Sequence, residues 1–353
     1  MRNYVKIIQR KIDDLKQIEK TLDEPTYYPE LERKSREERK KDLLEWKRVH
    51  GEANEYYNIY GLDIKGSDPW VYLDYTKAFR RNRDRLNRKG LRGSVVGIME
   101  DKFMFYKTMK GFGLPVPEVF AFINNGVLFD VELNRISLED LKDRKDYFLK
   151  GSYGMKGKEV THIEDFEQLK SAVAKLPKGD FILQERIVPS AEAKRLYADC
   201  VNTVRIITVR QVGEEPRVFA KFHRMGSVKT GNVDNWSSGG VAVGINDDGS
   251  LKDIGFYKYD TPGGRTDRHP DSGTVFATYR IPDYDKAVAL ALKAHKCFHN
   301  LFSCGWDVAI TENGPVLVEG NDSWAGGSPQ VCDRPLRKEW DELVAEYDRR
   351  TKG

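Results

Sequence analysis

Residues 305–321 constrain this chain more than any other stretch, because their apolar alternation admits one hairpin register. They read Gly-Trp-Asp-Val-Ala-Ile-Thr-Glu-Asn-Gly-Pro-Val-Leu-Val-Glu-Gly-Asn, two β-rich runs around Glu312-Asn313-Gly314. A two-residue Asn313-Gly314 turn would set Val308 across from Glu319 and Trp306 across from Asn321, pairing core residues with polar ones. A three-residue loop, Glu312-Asn313-Gly314 with Gly314 left-handed, instead sets Asp307 across from Glu319. It gathers Trp306, Val308, Ile310, Val316 and Val318 on one apolar face, and Asp307, Ala309, Leu317, Glu319 and Asn321 on the other. A slip of one residue inverts every side chain, so the apolar pattern selects the second register. Like charges facing each other on a ladder destabilise it unless a cation lies between them. Two carboxylates and an amide oxygen suit magnesium, which keeps waters and shares phosphate oxygens with a nucleotide. Asp307, Glu319 and Asn321 are thus candidate metal ligands, a plain solvent-facing hairpin side being the alternative.

A second signal is a glycine loop that follows a strand. Asp146-Tyr-Phe-Leu-Lys150 reads as the strand, and Gly151, Gly154 and Gly157 follow it, letting the backbone approach a polyanion. Gly157-Lys158 is followed by Glu159, not by Ser or Thr, so this is no Walker A loop. The glycine spacing is also wrong for a dinucleotide fingerprint. By itself the loop is equally a flexible turn.

The rest of the chain divides by texture. Residues 1–92 are polar, basic and helical in pattern, with residues 30–48 mixing both charge signs as on a solvated helix face. The denser cluster at 80–92 (RRNRDRLNRKGLR) fits either a surface helix or contact with an anionic membrane or polymer. From about residue 95 short strands alternate with helices, and a stripe of Ala287, Leu290, Ala291, Ala294 and Phe298 marks a helix near the end. This mixed order predicts an α+β architecture, with regions at 1–92, 93–190 and 191–353. The net charge of +4 over 353 residues is too small for a nucleic-acid binder. Four scattered cysteines, with no Cys-x-x-Cys pair, argue against a zinc site and fit a reducing compartment. With no apolar run near ~18 residues and no signal-like start, a cytoplasmic protein is expected.

Together the closing hairpin and Asn202-Thr-Val-Arg-Ile-Ile-Thr208 resemble the ATP-grasp superfamily, in particular its sugar-transfer-associated branch, from about Gly97 to Gly327. The resemblance implies two α+β subdomains clamping ATP, here with a helical N-terminal extension in place of the usual preceding α/β domain. Matched motif by motif, it implies phosphate contacts for Lys102 and Lys150 beside the glycine loop, Lys150 alternatively reaching adenine N7. Gln184, Glu185 and Ile187 would form the hinge strand whose backbone reads adenine, and Glu192 would accept from the ribose hydroxyls. Lys221 would bind phosphate, and Arg205 would steady the transferring phosphate or a substrate carboxylate. Asp307, Glu319 and Asn321 match the magnesium ligands, and the loops 235–240 and 269–273 are candidates to line an acceptor site.

The implied activity is an ATP- and Mg2+-dependent carboxylate–amine ligase. Its carboxylate would be a small molecule or a saccharide, such as a sugar acid in surface-polysaccharide assembly. A kinase acting on a sugar-like hydroxyl and a non-catalytic nucleotide-binding module remain alternatives, as does peripheral contact with membrane or polysaccharide machinery. Oligomeric state is left open. Because the resemblance starts after them, the first helices are expected to be dispensable for nucleotide binding.

Overall fold

The computed structural model describes residues 2–73, 77–88, 94–153, 160–231, 233–258 and 264–351. Among the described residues, five α-helices come first: α1 (Arg2–Asp23), α2 (Arg36–His50), α3 (Lys77–Arg88), α4 (Ser94–Glu100) and α5 (Lys102–Gly111). Then follow β1 (Val119–Asn124), β2 (Val127–Phe129), β3 (Arg135–Ile136), β4 (Tyr147–Gly151), β5 (Val160–Ile163), α6 (Phe166–Ala174) and β6 (Asp180–Glu185). The remainder holds α7 (Ala191–Lys194), β7 (Thr203–Val209), β8 (Arg217–Met225), β9 (Val241–Ile245), β10 (Leu251–Phe256), β11 (Arg265–Thr266) and α8 (Tyr284–Lys296). The chain closes with β12 (Ser303–Thr311), β13 (Gly314–Asn321), α9 (Gly327–Cys332) and α10 (Arg337–Thr351).

The strands form two antiparallel sheets, a six-stranded one ordered β3-β2-β1-β6-β4-β5 and a seven-stranded one ordered β11-β10-β9-β8-β7-β12-β13. Alternation along β7, β8 and β12 gives the larger sheet two different faces. On one, Val204, Ile206, Met225, Trp306, Val308 and Ile310 bury against the apolar stripe of α8. On the other, Ile207, Val209, Phe222 and Ala242 bury against the N-terminal helices, α9 and α10. Arg205 and Asp307, directly paired across β7 and β12, lie on this second face near its uncovered end.

The N-terminal region is therefore no loose extension. Its polar sides form ion pairs, as expected for residues 30–48, with Arg36 on Glu19 and Asp23 and Lys40 on Glu19. Its inner side, however, contributes Ile18, Leu22, Leu43, Tyr56 and Leu62 to one core with Phe222, Trp324 and Trp340 of the larger sheet and its flanking helices. One arginine of the basic cluster is turned inward, Arg83 at 4 % exposure, while Arg85 stays at the surface in a two-pronged pair with Asp348 of α10. Among the described residues no helix is long and apolar enough to cross a membrane.

Local capping places the site lysines. The Asp101 carboxylate caps α5 by accepting from the Phe103 and Met104 amides, and it also accepts from the Ser152 hydroxyl at 2.6 Å. The Lys102 amide donates to the Ser152 carbonyl at 2.9 Å. These bonds pin the start of α5 to the end of β4, bringing Lys102 beside Lys150.

Candidate active site

Between the sheets lies a cavity of about 650 Å³. The six-stranded side supplies Lys102, Phe148, Lys150, Gln184 and Ile187, and the seven-stranded side supplies Arg205, Arg224, Asp307, Val318, Glu319 and Asn321.

The hairpin makes the expected pairing by an unexpected route. Asp307 does face Glu319, and Gly305 faces Asn321. Gly314 has a φ of 102°, the left-handed sense expected. The loop, however, has two residues, Glu312 and Asn313, since Thr311 pairs directly with Gly314. The missing register step is supplied by a β-bulge between the Val308–Leu317 and Asp307–Glu319 rungs, where Val318 is the extra residue. Below the bulge the face assignment changes. Leu317 joins Val308 and Ile310 in the core at 0 % exposure, whereas Val316 and Val318, expected in the core, are half-buried.

Asp307 is 1 % exposed and holds two guanidinium groups. Arg205 bonds it through Nε and through Nη2, the latter at 2.7 Å, and Arg224 Nη2 reaches its Oδ2 at 2.9 Å. Burial alone would raise the Asp307 carboxyl, but the charges of Arg205 and Arg224 outweigh it and hold the group at about 2. Glu319 is shifted the other way, upward, by burial and then by the facing Asp307 charge. Its Oε1 accepts from Asn321 Nδ2 at 3.0 Å.

Across the cavity, Lys150 Nζ donates to Gln184 Oε1 at 2.9 Å and lies 5.3 Å from the Phe148 ring centroid. Burial and then the neighbouring Lys102 charge push the Lys150 ammonium down to about 8, against the pull of Glu319. Two cations and a carboxylate pair thus confront each other across one space, ready to receive a polyanion.

Other expected residues fare differently. Gly151 ends β4, paired with Phe181. Gly154 and Gly157 lie outside the described residues. Glu185 is exposed, away from the cavity; its amide donates to the Glu118 carbonyl and its carboxylate accepts from the Glu118 amide, so both groups serve the sheet. Glu192 also stands apart from the cavity, half-buried on the short α7 and paired with Arg195. Lys221 sits on the wrong face of β8, paired with Asp247 at 2.6 Å beside Tyr284 of α8. Of the two acceptor-loop candidates, Asn235 lines the cavity, while His269 is 1 % exposed and bonded to the Gly226 carbonyl.

In place of Lys221, the β8 residue that enters the site is Arg224, which sequence reasoning missed. Its guanidinium touches Asp307, Asp234 and the Thr203 hydroxyl. Although burial opposes the charge, Asp234, Asp307 and Glu319 more than compensate and raise its pKa. A signal did exist. Residues 221 and 224 are three apart and must face opposite sides of a strand. Phe222 pairs with Arg205, so 222 and 224 share the Arg205 face.

The donor set fits a hard divalent cation. Glu319 and Asp307 are adjacent carboxylates, Glu319 carries the strain of that proximity, and Asn321 adds an amide oxygen. Among the described residues no three His, Cys, Asp or Glu side chains form a closed metal cluster. Both Asp307 oxygens already accept from arginine, so a cation has to share that carboxylate with Arg205 and Arg224.

The profile of sugar-transfer associated ATP-grasp proteins matches residues 81–341. No curated protein matches the sequence. Solved structures that resemble it include the D-alanine-D-alanine ligase from Coxiella burnetii, at 12 % identity and a TM-score of 0.44, over 72 % of this chain and 59 % of that one. The VanG D-Ala:D-Ser ligase from Enterococcus faecalis aligns at 14 % identity and a TM-score of 0.45, over 71 % and 62 %. N5-carboxyaminoimidazole ribonucleotide synthetase from Thermotoga maritima aligns at 13 % identity and 0.39, over 68 % and 48 %. The matches thus span between 48 % and 62 % of those proteins, and at such identities the likeness reaches no further than the fold.

Proposed function

The chain belongs to the sugar-transfer associated ATP-grasp family, and from that premise we propose that it is an ATP- and magnesium-dependent carboxylate–amine ligase. One observation carries the reading: Lys102 and Lys150 face Asp307, Glu319, Asn321, Arg205 and Arg224 across a single cavity between two antiparallel sheets. That arrangement is what phosphoryl transfer asks of a protein, positioning plus neutralisation of charge on the moving group.

In this reading Lys102 and Lys150 take the nucleotide phosphates, while Ile187 and Phe148 offer apolar surface to the base. Glu319, Asn321 and Asp307 would hold magnesium, which would supply charge neutralisation for the phosphates. Arg224 and Arg205 orient the acceptor carboxylate. A carboxylate oxygen attacks the γ-phosphorus, the bond from γ-phosphorus to the bridging oxygen breaks, and ADP leaves with that electron pair. An amine nitrogen then attacks the acyl carbon, the carbon–oxygen bond to phosphate breaks, and the amine proton is lost to solvent as the amide forms.

The family description supports a saccharide acceptor such as a sugar acid, in surface-polysaccharide assembly. A screen of ADP and phosphate release over sugar acids and amines tests the reading. A ligase releases inorganic phosphate only when both acid and amine are present. Phosphate retained on the product, with no amine requirement, would establish a kinase instead.

A further inference from the structure

The hairpin that carries Asp307 and Glu319 is closed by a turn at one end and parts at the other. Its last rung is Gly305–Asn321. Beyond it the chain leaves the sheet at Asp322, and Ser303 of β12 is left with no β13 partner on that side.

A single side chain from the N-terminal region bridges this gap. Asn87 of α3 is 0 % exposed. Its Nδ2 donates to the Asp322 carbonyl at 2.8 Å, and its Oδ1 accepts from the Ser303 amide at 2.9 Å and the Ser303 hydroxyl at 3.3 Å. The side-chain amide thus does what one more peptide of β13 would have done. One turn earlier on α3, Arg83 donates to the Trp324 carbonyl while Asp84 holds its guanidinium at 2.8 Å. Phe79 packs edge-on against the Trp324 ring, centroids 5.1 Å apart.

We propose that Asn87 is a positioning residue for the metal-bearing hairpin, so that α3 completes the site. The functional part of this inference rests on the ligase reading; the clamp itself does not. Asp322 follows Asn321 directly, and Ser303 lies four residues before Asp307. Cation sites require ligands held to within about half an ångström, and partners behind the ligands supply that hold. Without Asn87, two buried backbone groups lose their partner and the open end is free to splay.

The test uses the full chain with Asn87→Asp, which can still accept from the Ser303 amide but presents an acceptor to the Asp322 carbonyl. Leu86→Ala, a buried α3 neighbour unable to hydrogen-bond the hairpin, controls for general loosening. Backbone hydrogen exchange at Ser303 and residues 319–323 should quicken in Asn87→Asp. The magnesium concentration that half-saturates ATP binding should rise about ten-fold, with metal-free ATP binding unchanged. Leu86→Ala should lower the melting temperature without moving that midpoint. Exchange at parental rates in Asn87→Asp, or an equal midpoint shift in Leu86→Ala, overturns the proposal. Should Asn87→Asp not fold, Asn87→Ser, whose hydroxyl reaches only one of the two groups, is read by the same criteria. A parent chain that binds no MgATP at all defeats the ligase reading, and the exchange rates alone then decide the clamp.

Discussion

Asp307 and Glu319 stand on one rung yet are held in opposite ways, and their substitutions should separate stability from turnover. Asp307 is depressed to about 2 by Arg205 and Arg224, so its ionised form stabilises the fold above the ordinary carboxylate range, and that contribution is lost as pH falls toward 2. Removing it takes from Arg205 its one side-chain ion pair among the described residues, while Arg224 keeps Asp234. Asp307→Ala should therefore cost roughly 3–5 kcal/mol in denaturant unfolding. Glu319 is raised, so ionising it works against the folded state as pH climbs past the unfolded value. Glu319→Gln should keep or raise the melting temperature at neutral pH while turnover falls about 10²–10³-fold. A Glu319→Gln protein with parental turnover would remove this residue from the site. Lys150, lowered to about 8, loses its charge as pH rises through that value, so ATP affinity of the free protein should weaken there. Lys150→Arg should flatten the profile, because a guanidinium stays charged. Lys150→Ala should weaken ATP by about ten-fold or more, roughly 1.4 kcal/mol, in a binding titration.

At the scale of the element, the hairpin shows what a sequence can and cannot disclose. β12 is regular, so its alternation correctly buries Trp306, Val308 and Ile310 and turns Asp307 to the cleft. β13 contains a bulge, and a period of two has no means to register one extra residue. The apolar pattern reached the Asp307–Glu319 pairing because the bulge restores the one-residue step that the shorter loop removes, but it misplaced Leu317, Val316 and Val318. Lys221 lies on the face away from the cavity for a related reason: strand β8 carries a basic residue on each face, and composition does not say which face is the cleft. Glu192 lies off the cavity because a motif match fixes position along the chain but not side-chain direction on a short helix, whereas Glu185 was expected to act through its backbone, between Gln184 and Ile187 of the cavity lining. Gly320, between the two cleft-facing residues, has a tighter constraint. A Cβ there would come within 2.7 Å of the Trp306 ring and 3.3 Å of Phe105. Gly320→Ala must displace a fully buried indole, so a loss of about 1–3 kcal/mol is expected, together with reduced turnover. A variant as stable as the parent would mean that Trp306 has room to move.

For the whole molecule, the decisive feature is where the first helices rest. They cover the face of the seven-stranded sheet whose open end bears Arg205 and Asp307, and this was not legible because much of the inner side comes from the stretch between the helices, whose buried residues follow no helical period. Tyr56, Tyr57, Ile59, Tyr60 and Leu62 come from a turn-rich stretch, and all are buried. The polar outer faces were visible; the inner ones were not. Removal of the first 35 residues gives a direct test. It deletes Ile18, Leu22 and Tyr27, exposed by 1 %, 2 % and 5 % respectively, each contributing about 1.5–3 kcal/mol of burial at most. It also deletes Arg33, whose Nε donates at 2.8 Å to Asp63, a carboxylate with no exposed side-chain surface. Breaking such a buried pair from one side costs about 3–5 kcal/mol. The combined loss is comparable to the entire stability of about 5–15 kcal/mol typical of a folded domain. The truncated chain should therefore show no cooperative thermal transition near the parental one, and ATP with magnesium should not restore it. Truncated protein that melts at the parental temperature and binds ATP would show the helices to be separable from the site after all.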